Sequence, residues 1–180
     1  LNVCYNCVDR WVEKGHGDDV GLIWMGEDDE VVEYTFSSLK DEVSKTANAL
    51  KELGIGKGDR VCIWLPMIKE LAVSMLACAR LGAIHSIVFG GFSAESVADR
   101  IKDSDCKVLI TSDATRRAGK IRPKKDKLKG IIEDCPSIEH VAIIEISDID
   151  YYEYEKDVVF NELIDKQSTD CPCEPMDSED

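Results

Sequence analysis

Apolar positions change their period several times along this chain, and each change predicts an element. In VGLIWMGEDDEVVEYTF (20–36), two short apolar runs flank an acidic turn from Gly26 to Asp29, which predicts a hairpin. From Ser37 the spacing becomes helical: Leu39, Val43, Ala47 and Leu50 share one face, Lys40, Glu42, Lys45 and Lys51 the other, and Gly54 closes the helix. After the glycine-rich turn GIGKGDR, the run VCIWL (61–65) stops at Pro66 and predicts a strand buried on both faces. IKELAVSMLACARL (68–81) is helical and apolar nearly all round, so it is expected to lie sandwiched, with Gly82 as its stop.

The unit then repeats. IHSIVF (84–89) predicts a strand, Ser93 to Lys102 a helix, KVLIT (107–111) a strand, the region up to about Asp134 a basic loop and helix, and HVAIIE (140–145) a strand. Short buried strands alternating with helices give right-handed crossovers, hence an α/β fold: a doubly wound, mainly parallel sheet with helices on both faces. Beyond Ser147 the periodicity is lost, and Tyr151, Tyr152 and Tyr154 sit among acidic residues, which predicts a linker or excursion. The organisation expected is an N-terminal segment with a hairpin (1–36), an α/β subdomain (37–147) and an acidic linker (148–180).

Composition agrees with one sizeable core: 180 residues, 44% of them hydrophobic. The net charge of −14 is unevenly spread. Residues 148–180 carry twelve carboxylates against Lys156 and Lys166, whereas 116–129 hold eight basic residues against Asp126 alone. Opposed blocks of this kind favour a small anionic ligand or an internal contact over general binding to nucleic acid or membrane. The basic block also lacks the interleaved aromatics of a nucleic-acid surface. No apolar run reaches bilayer length and no secretory pattern opens the chain, so a cytoplasmic location is the expectation.

The eight cysteines fit a reducing compartment, with Cys62, Cys78 and Cys106 expected as small buried hydrophobes. Cys4-x-x-Cys7 and Cys171-x-Cys173 bring four thiols to mind as a zinc set, but the second pair has the wrong spacing and no knuckle residues. No metal ligand is therefore assigned. The start at Leu1 and the ending CEPMDSED give both ends a cut look, and uncovered apolar faces of a part-sheet would favour self-association.

IVFGGFSAESVADRI (87–101) holds the most distinctive joint. Gly90 and Gly91 can take positive φ and let another atom approach the backbone, Ser93 is a good N-cap, and Phe92 can staple onto Val97. A phosphate there would meet Glu95 in the first turn, and neither a G-x-G-x-x-G nor a G-x-x-x-x-G-K-[ST] spacing is present. A turn device and a neutral ligand wall beside Phe89 both remain open.

In the basic block, the lysines from Lys124 to Lys129 read as the solvated face of a helix. Arg117 and Lys120 differ because they flank Ala118-Gly119 in a loop after KVLIT, on the carboxyl edge where ligands of open parallel sheets lie. His85 reads as a hydrogen-bonded core residue, with His16 and His140 at element edges. No catalytic triad, metal helix or paired-carboxylate signature stands out.

LNVCYNCVDRWVE (1–13), KGDRVCIWLPMI (57–68), AVSMLACARLGAIHSIVFGGFSAESVADRI (72–101) and CPCEPMDSED (171–180) strongly resemble the N-terminal part of the AMP-forming acetyl-coenzyme A synthetases, a family of adenylate-forming enzymes. The resemblance implies a ligase for the full-length parent. Acetate and ATP give acetyl-adenylate and pyrophosphate, and the thiol of coenzyme A then displaces AMP. It also implies that the ATP-phosphate loop, the magnesium, adenine and acetate sites and a catalytic lysine follow beyond Asp180, so that these 180 residues alone are inactive and carry no catalytic residue. What it assigns here is part of the coenzyme A site: Phe89, Gly90 and Gly91 line the pantetheine passage, and Arg117 with Lys120 reads the 3′-phosphate. Lys120 keeps the charge of the family's arginine but loses its planar fork. IRPKKDK departs from a more apolar family pattern, and 146–160 is shorter and more acidic than the family's. The rival reading is a non-catalytic α/β module that binds an anionic ligand or partner through 116–129.

Overall fold

The computed structural model describes all residues, Leu1 to Asp180. Two short helical turns, Tyr5–Asp9 and Val12–His16, lead into the expected antiparallel hairpin of β1 (Val20–Met25) and β2 (Val31–Thr35). Thr35 caps α1 (Phe36–Glu52), its hydroxyl accepting from the Ser38 amide at 3.2 Å, and the predicted stripe Leu39, Val43, Ala47 and Leu50 is buried. There follow β3 (Arg60–Trp64), α2 (Lys69–Leu81), β4 (Ile84–Ile87), α3 (Ala94–Ser104), β5 (Val108–Ser112) and a hairpin of β6 (Ala114–Arg117) and β7 (Lys120–Pro123). Gly82 ends α2 in a left-handed conformation, φ 68°, that a side chain would strain. The chain closes with β8 (His140–Ile144), β9 (Asp157–Val159) and α4 (Phe160–Asp165).

The main sheet has five strands in the order β4-β3-β5-β8-β9, all parallel. β3 steps to β4 in one direction and β4 returns across β3 to β5 in the other, so right-handed crossovers place α2 and α3 on opposite faces. Side-chain alternation then builds two cores. Val61, Ile63, Val108, Ile110, Ala142 and Ile144 pack with α1, α2 and α4, while Cys62, Trp64, Leu109, Val141 and Ile143 pack with α3. The expected doubly wound α/β architecture is what the chain forms.

Three local expectations are corrected. The basic region is not a helix with a solvated face: β6 and β7 form a hairpin, followed by single 3₁₀ turns at Lys125–Leu128 and Ile132–Asp134. Lys124 and Lys125 are both fully buried, because the amides of both donate to the Asp113 carbonyl and draw the chain inward, at 2.8 and 3.1 Å. Next, residues after Ser147 are not all linker, since β9 extends the sheet and α4 buries Phe160 in the first core. Lys125 makes this possible: its Nζ donates to Asp157 at 2.8 Å and to the Tyr152 carbonyl at 3.0 Å, neutralising charge that would keep an acidic segment solvated. Finally, His85 lies half-buried on the edge strand β4, where desolvation lowers its pKa, and is not a core residue. The same edge leaves Ile84 and Ile87 exposed.

Cys62, Cys78 and Cys106 are buried as expected, and all eight cysteines are free thiols. The four thiols considered as a zinc set do not converge: Cys7 is exposed, and Cys171 lies with its sulfur 3.4 Å from Lys51 Nζ. No helix is long and apolar enough to cross a membrane.

Candidate functional site

Every strand of the main sheet points the same way, so the segments after β3, β4, β5 and β8 gather on its carboxyl edge. The strand order reverses between β3 and β5, which makes that position the switch point. There a cavity of about 370 Å³ opens. Its walls are the β1–β2 turn, the Pro66–Glu70 segment, Arg116, Glu145 and Asn161. The hairpin is pinned over it by Trp24, whose Nε1 donates to the Met67 carbonyl at 2.8 Å, and by Arg116, which pairs with Asp28 at 2.8 Å.

Five carboxylates line this cavity (Glu27, Asp28, Glu30, Glu70 and Glu145) against Lys69 and Arg116. Lys69 is held to Glu70 at 2.5 Å; burial pulls its pKa down, but the carboxylate outweighs burial and leaves the pKa raised. The cavity as built is acidic, and an anionic ligand would not enter it unaided. These residues are scattered along the sequence and carry no common motif. The acidic turn 26–29 was visible as a turn, but nothing local places it above Met67.

Of the predicted site residues, Phe89 and its neighbours follow β4 at the sheet edge. Phe89 is 65% exposed and meets Phe92 edge-on, ring centroids 6.1 Å apart. Neither Gly90 nor Gly91 takes a left-handed φ. Gly90 is instead a close-approach residue: a Cβ on it would stand 2.9 Å from the Leu65 carbonyl oxygen and 3.1 Å from Pro66 Cα. A Cβ on Gly91 would meet only the exposed Phe89 ring, at 2.8 Å. Gly90→Ala is thus expected to lower stability by about 1–3 kcal/mol, since backbone must shift, and Gly91→Ala by less than about 1 kcal/mol, since a ring can swing aside. Urea unfolding compares the two, and equal losses would refute the distinction. Ser93 caps α3 as expected, accepting from the Ser96 amide at 3.3 Å. Glu95, held below the usual carboxylate range by its own backbone amide and by Ser93, already occupies the helix end where a phosphate would sit.

Arg117 and Lys120 are the closing pair of the β6–β7 hairpin. Between them Ala118 and Gly119 both have left-handed φ, 53° and 67°, the signature of a type I′ turn whose twist matches the strands. Both side chains are exposed, and the Gly119 amide leans on Glu27 at 3.4 Å. The structure therefore brings the two predicted groups to one edge of one sheet. None of Phe89, Gly90, Gly91, Arg117 and Lys120 lines the acidic cavity or four further cavities of comparable volume.

Beneath this edge two residues organise the loops. Asp113, just past β5, is buried; its carboxylate accepts from the amides of Ile146 and Ser147 at 2.9 and 3.0 Å and from the Ser147 hydroxyl at 2.5 Å. Lys124 Nζ stands 2.9 Å from the Trp64 ring centroid with no hydrogen-bond partner. Burial, reinforced by the nearby charge of Lys127, pushes its pKa down to about 6. Neither stands out from the sequence pattern, although an Asp directly after a buried strand at the carboxyl edge is a local signal for such a role.

Residues 8–180 match the family model described as AMP-binding enzyme. The acetyl-coenzyme A synthetase 2 of Pseudomonas aeruginosa is 45% identical over 183 aligned residues, and the acetyl-coenzyme A synthetase of Halorhodospira halophila 48% over 182. Each alignment covers 100% of this chain and 28% of the relative, so the chain spans little more than a quarter of their length. Among solved structures, the acyl-CoA synthetase of Brucella canis superposes with a TM-score of 0.77 at 25% identity, covering 96% of this chain and 29% of that one.

Proposed function

Because the chain belongs to the AMP-binding enzyme family, we propose that it is the N-terminal part of an AMP-forming acetate–coenzyme A ligase and supplies part of its coenzyme A site. The likeness to acetyl-coenzyme A synthetases along the whole chain carries this reading. In the reaction, a carboxylate oxygen of acetate attacks the α-phosphorus of ATP and pyrophosphate leaves. The sulfur of coenzyme A then attacks the acetyl carbon, and AMP leaves with the electron pair of the broken C–O bond. Activation of acetate, with ATP and magnesium, is assigned to the part of the relatives' length that this chain does not span.

The role proposed for this chain is to receive coenzyme A on the carboxyl edge. Phe89 offers an exposed ring, and Gly90, packed against the Leu65–Pro66 backbone on the side where a side chain would stand, keeps the turn close to that backbone, so that a narrow pantetheine arm can lie along its outer face. Gly91 keeps the Phe89 ring in contact with the turn. Arg117 and Lys120, paired across the two-residue turn, present a fork and a point charge to a phosphate. Of the other six basic residues in the block, three are engaged within the fold, Arg116 pairing with Asp28, Lys125 with Asp157 and Lys124 being buried, while Arg122, Lys127 and Lys129 stay exposed. That leaves less for the rival reading, in which the whole block binds an anionic partner.

The test uses the full-length product of the gene that encodes this chain. Acetate-dependent exchange of labelled pyrophosphate into ATP, followed by formation of acetyl-coenzyme A, is expected; absence of both would overturn the ligase reading. Arg117→Ala is expected to raise the KM for coenzyme A by about 10–100-fold, as befits one lost charge-assisted contact, and that for ATP far less. Equal effects on the two substrates would remove Arg117 from the coenzyme site.

A further inference from the structure

We propose that Cys4, Asp9 and Cys173 form a binding site for a thiophilic divalent cation, zinc above all, which clamps the first residues of the chain to the segment around Cys173. The two sulfurs and a carboxylate oxygen lie within 4.8 Å of one another, and Cys173 Sγ is 3.7 Å from Asp9 Oδ2. In a tetrahedral zinc site, bonds of about 2.3 Å to sulfur and 2.1 Å to oxygen place ligand atoms roughly 3.6–3.8 Å apart. The triad thus needs at most about 1 Å of contraction to close on a metal.

Its frame is assembled without one. Asn2 donates its side-chain amide to the carbonyls of Ala79 and Glu174, at 2.8 and 2.9 Å, and Leu1 and Met176 exchange backbone hydrogen bonds in both directions. The Glu174 amide donates to the Arg80 carbonyl at 2.8 Å. Cys4 and Cys173, at opposite ends of the sequence, are therefore fixed to the same end of α2.

The surrounding groups suit a dithiolate–carboxylate site. Arg80, fully buried, donates to Asp9 Oδ2 at 2.5 Å, and Lys40 stands 3.6 Å from Asp9 Oδ1, so the carboxylate is oriented as metal-binding carboxylates are by their outer partners. Arg80 Nε is a buried donor with no acceptor, which a metal-bound thiolate would supply. Exchange of two thiol protons for one dication also leaves the charge of the cluster unchanged, so the cation meets no net electrostatic penalty from Arg80 and Lys40.

Two sulfurs with one carboxylate favour zinc over magnesium or calcium, which take oxygen shells. Cys173 borders an open cavity of about 320 Å³, leaving a fourth position for water. Cys7 and Cys171, which the sequence pairs with these two, stand outside the site.

The test is titration of the reduced wild-type chain with Co²⁺. One equivalent should bind with thiolate-to-cobalt absorption and the strong visible bands of a tetrahedral ion, and Zn²⁺ should bleach both. Cys4→Ser and Cys173→Ser should each weaken binding by about 100-fold, and Asp9→Asn by about 10–100-fold, while Cys7→Ser and Cys171→Ser change it by less than about threefold. Circular dichroism of the metal-free variants separates loss of a ligand from loss of fold. A second measurement needs no variant: bound Zn²⁺ should slow alkylation of Cys173 at least about tenfold and leave Cys7 unaffected. Absence of thiolate-to-cobalt absorption, its undiminished persistence in either Cys4→Ser or Cys173→Ser, or unchanged alkylation of Cys173 would overturn the site. None of these readouts involves acyl transfer, so the proposal stands or falls apart from the ligase reading.

Discussion

Lys125→Met should destabilise the protein by about 3–5 kcal/mol, the usual consequence of breaking a buried ion pair from one side, whereas Lys124→Met, one residue away, should stabilise it by about 2 kcal/mol at pH 7. The opposite signs follow from the partners. Lys125 Nζ satisfies Asp157, which is 8% exposed, and the Tyr152 carbonyl, and lies 4.2 Å from the Tyr154 ring centroid. Methionine would leave Asp157 buried and uncompensated and would release the 150–157 segment that feeds β9. Lys124 has no hydrogen-bond partner at all, so methionine removes a buried amine and keeps the packing on Trp64.

The pH dependence of the Lys124 effect has a definite sign. Folded, the amine loses its proton above about 6; unfolded, it keeps it to about 10.4. Between those values the unfolded chain binds more protons, so this residue makes wild-type stability rise with pH. Below about pH 6 the lysine destabilises by its full amount, and above about pH 10.4 by none. Lys124→Met should therefore outdo the wild type most at pH 6 and least at pH 9 in urea unfolding. A variant less stable than wild type would show that the Trp64 face holds Lys124 as an ammonium ion, a cation–π contact worth about 2 kcal/mol when desolvated.

The second large effect is expected at Asp113. Asp113→Ala should lower stability by about 3–5 kcal/mol, because three hydrogen bonds to one carboxylate are lost and the amides of Ile146 and Ser147 are left without their acceptor. Asp113→Asn keeps one acceptor oxygen and should lose roughly half as much. Hydrogen exchange should quicken at those two amides before it does in β5. A loss under about 1 kcal/mol would mean that the turn after β8 is held by something other than Asp113.

Much of the fold was legible because its signals are local. The runs at 61–65, 107–111 and 140–145 became β3, β5 and β8, and the stripes of α1, α2 and α3 were found to within a few residues. What misled was charge. KKDK looked like a solvated helix face because charged side chains usually are solvated; here Lys125 is buried by its partner Asp157 far along the chain and Lys124 is buried beside it against Trp64, while Lys127 alone of the three lysines stays exposed. The acidic segment after Ser147 looked like linker for the same reason, although Lys125, Asp126 and Gly130 all bond it, the Asp126 carboxylate taking the Tyr152 amide at 2.7 Å and the Gly130 amide donating to the Tyr154 hydroxyl at 3.1 Å.

The glycine pair shows the same division at smaller scale. Sequence identified a turn before a capped helix and argued a phosphate away from it through Glu95. Only the packed structure separates Gly90, which faces the Leu65–Pro66 backbone, from Gly91, which faces a movable ring. The cysteines repeat it: spacing dismissed a four-thiol set, while folding brings one thiol from each pair to Asp9.

By itself, then, the order of residues determined the elements, their alternation between two faces and the edge on which loops collect, since periods of two and 3.6 residues act over neighbouring positions. The tertiary structure alone decided which charges are buried, which glycine is indispensable and which side chains from opposite ends of the chain meet. Those depend on contacts between residues distant in sequence, whose energies exist only once the backbone has closed around them.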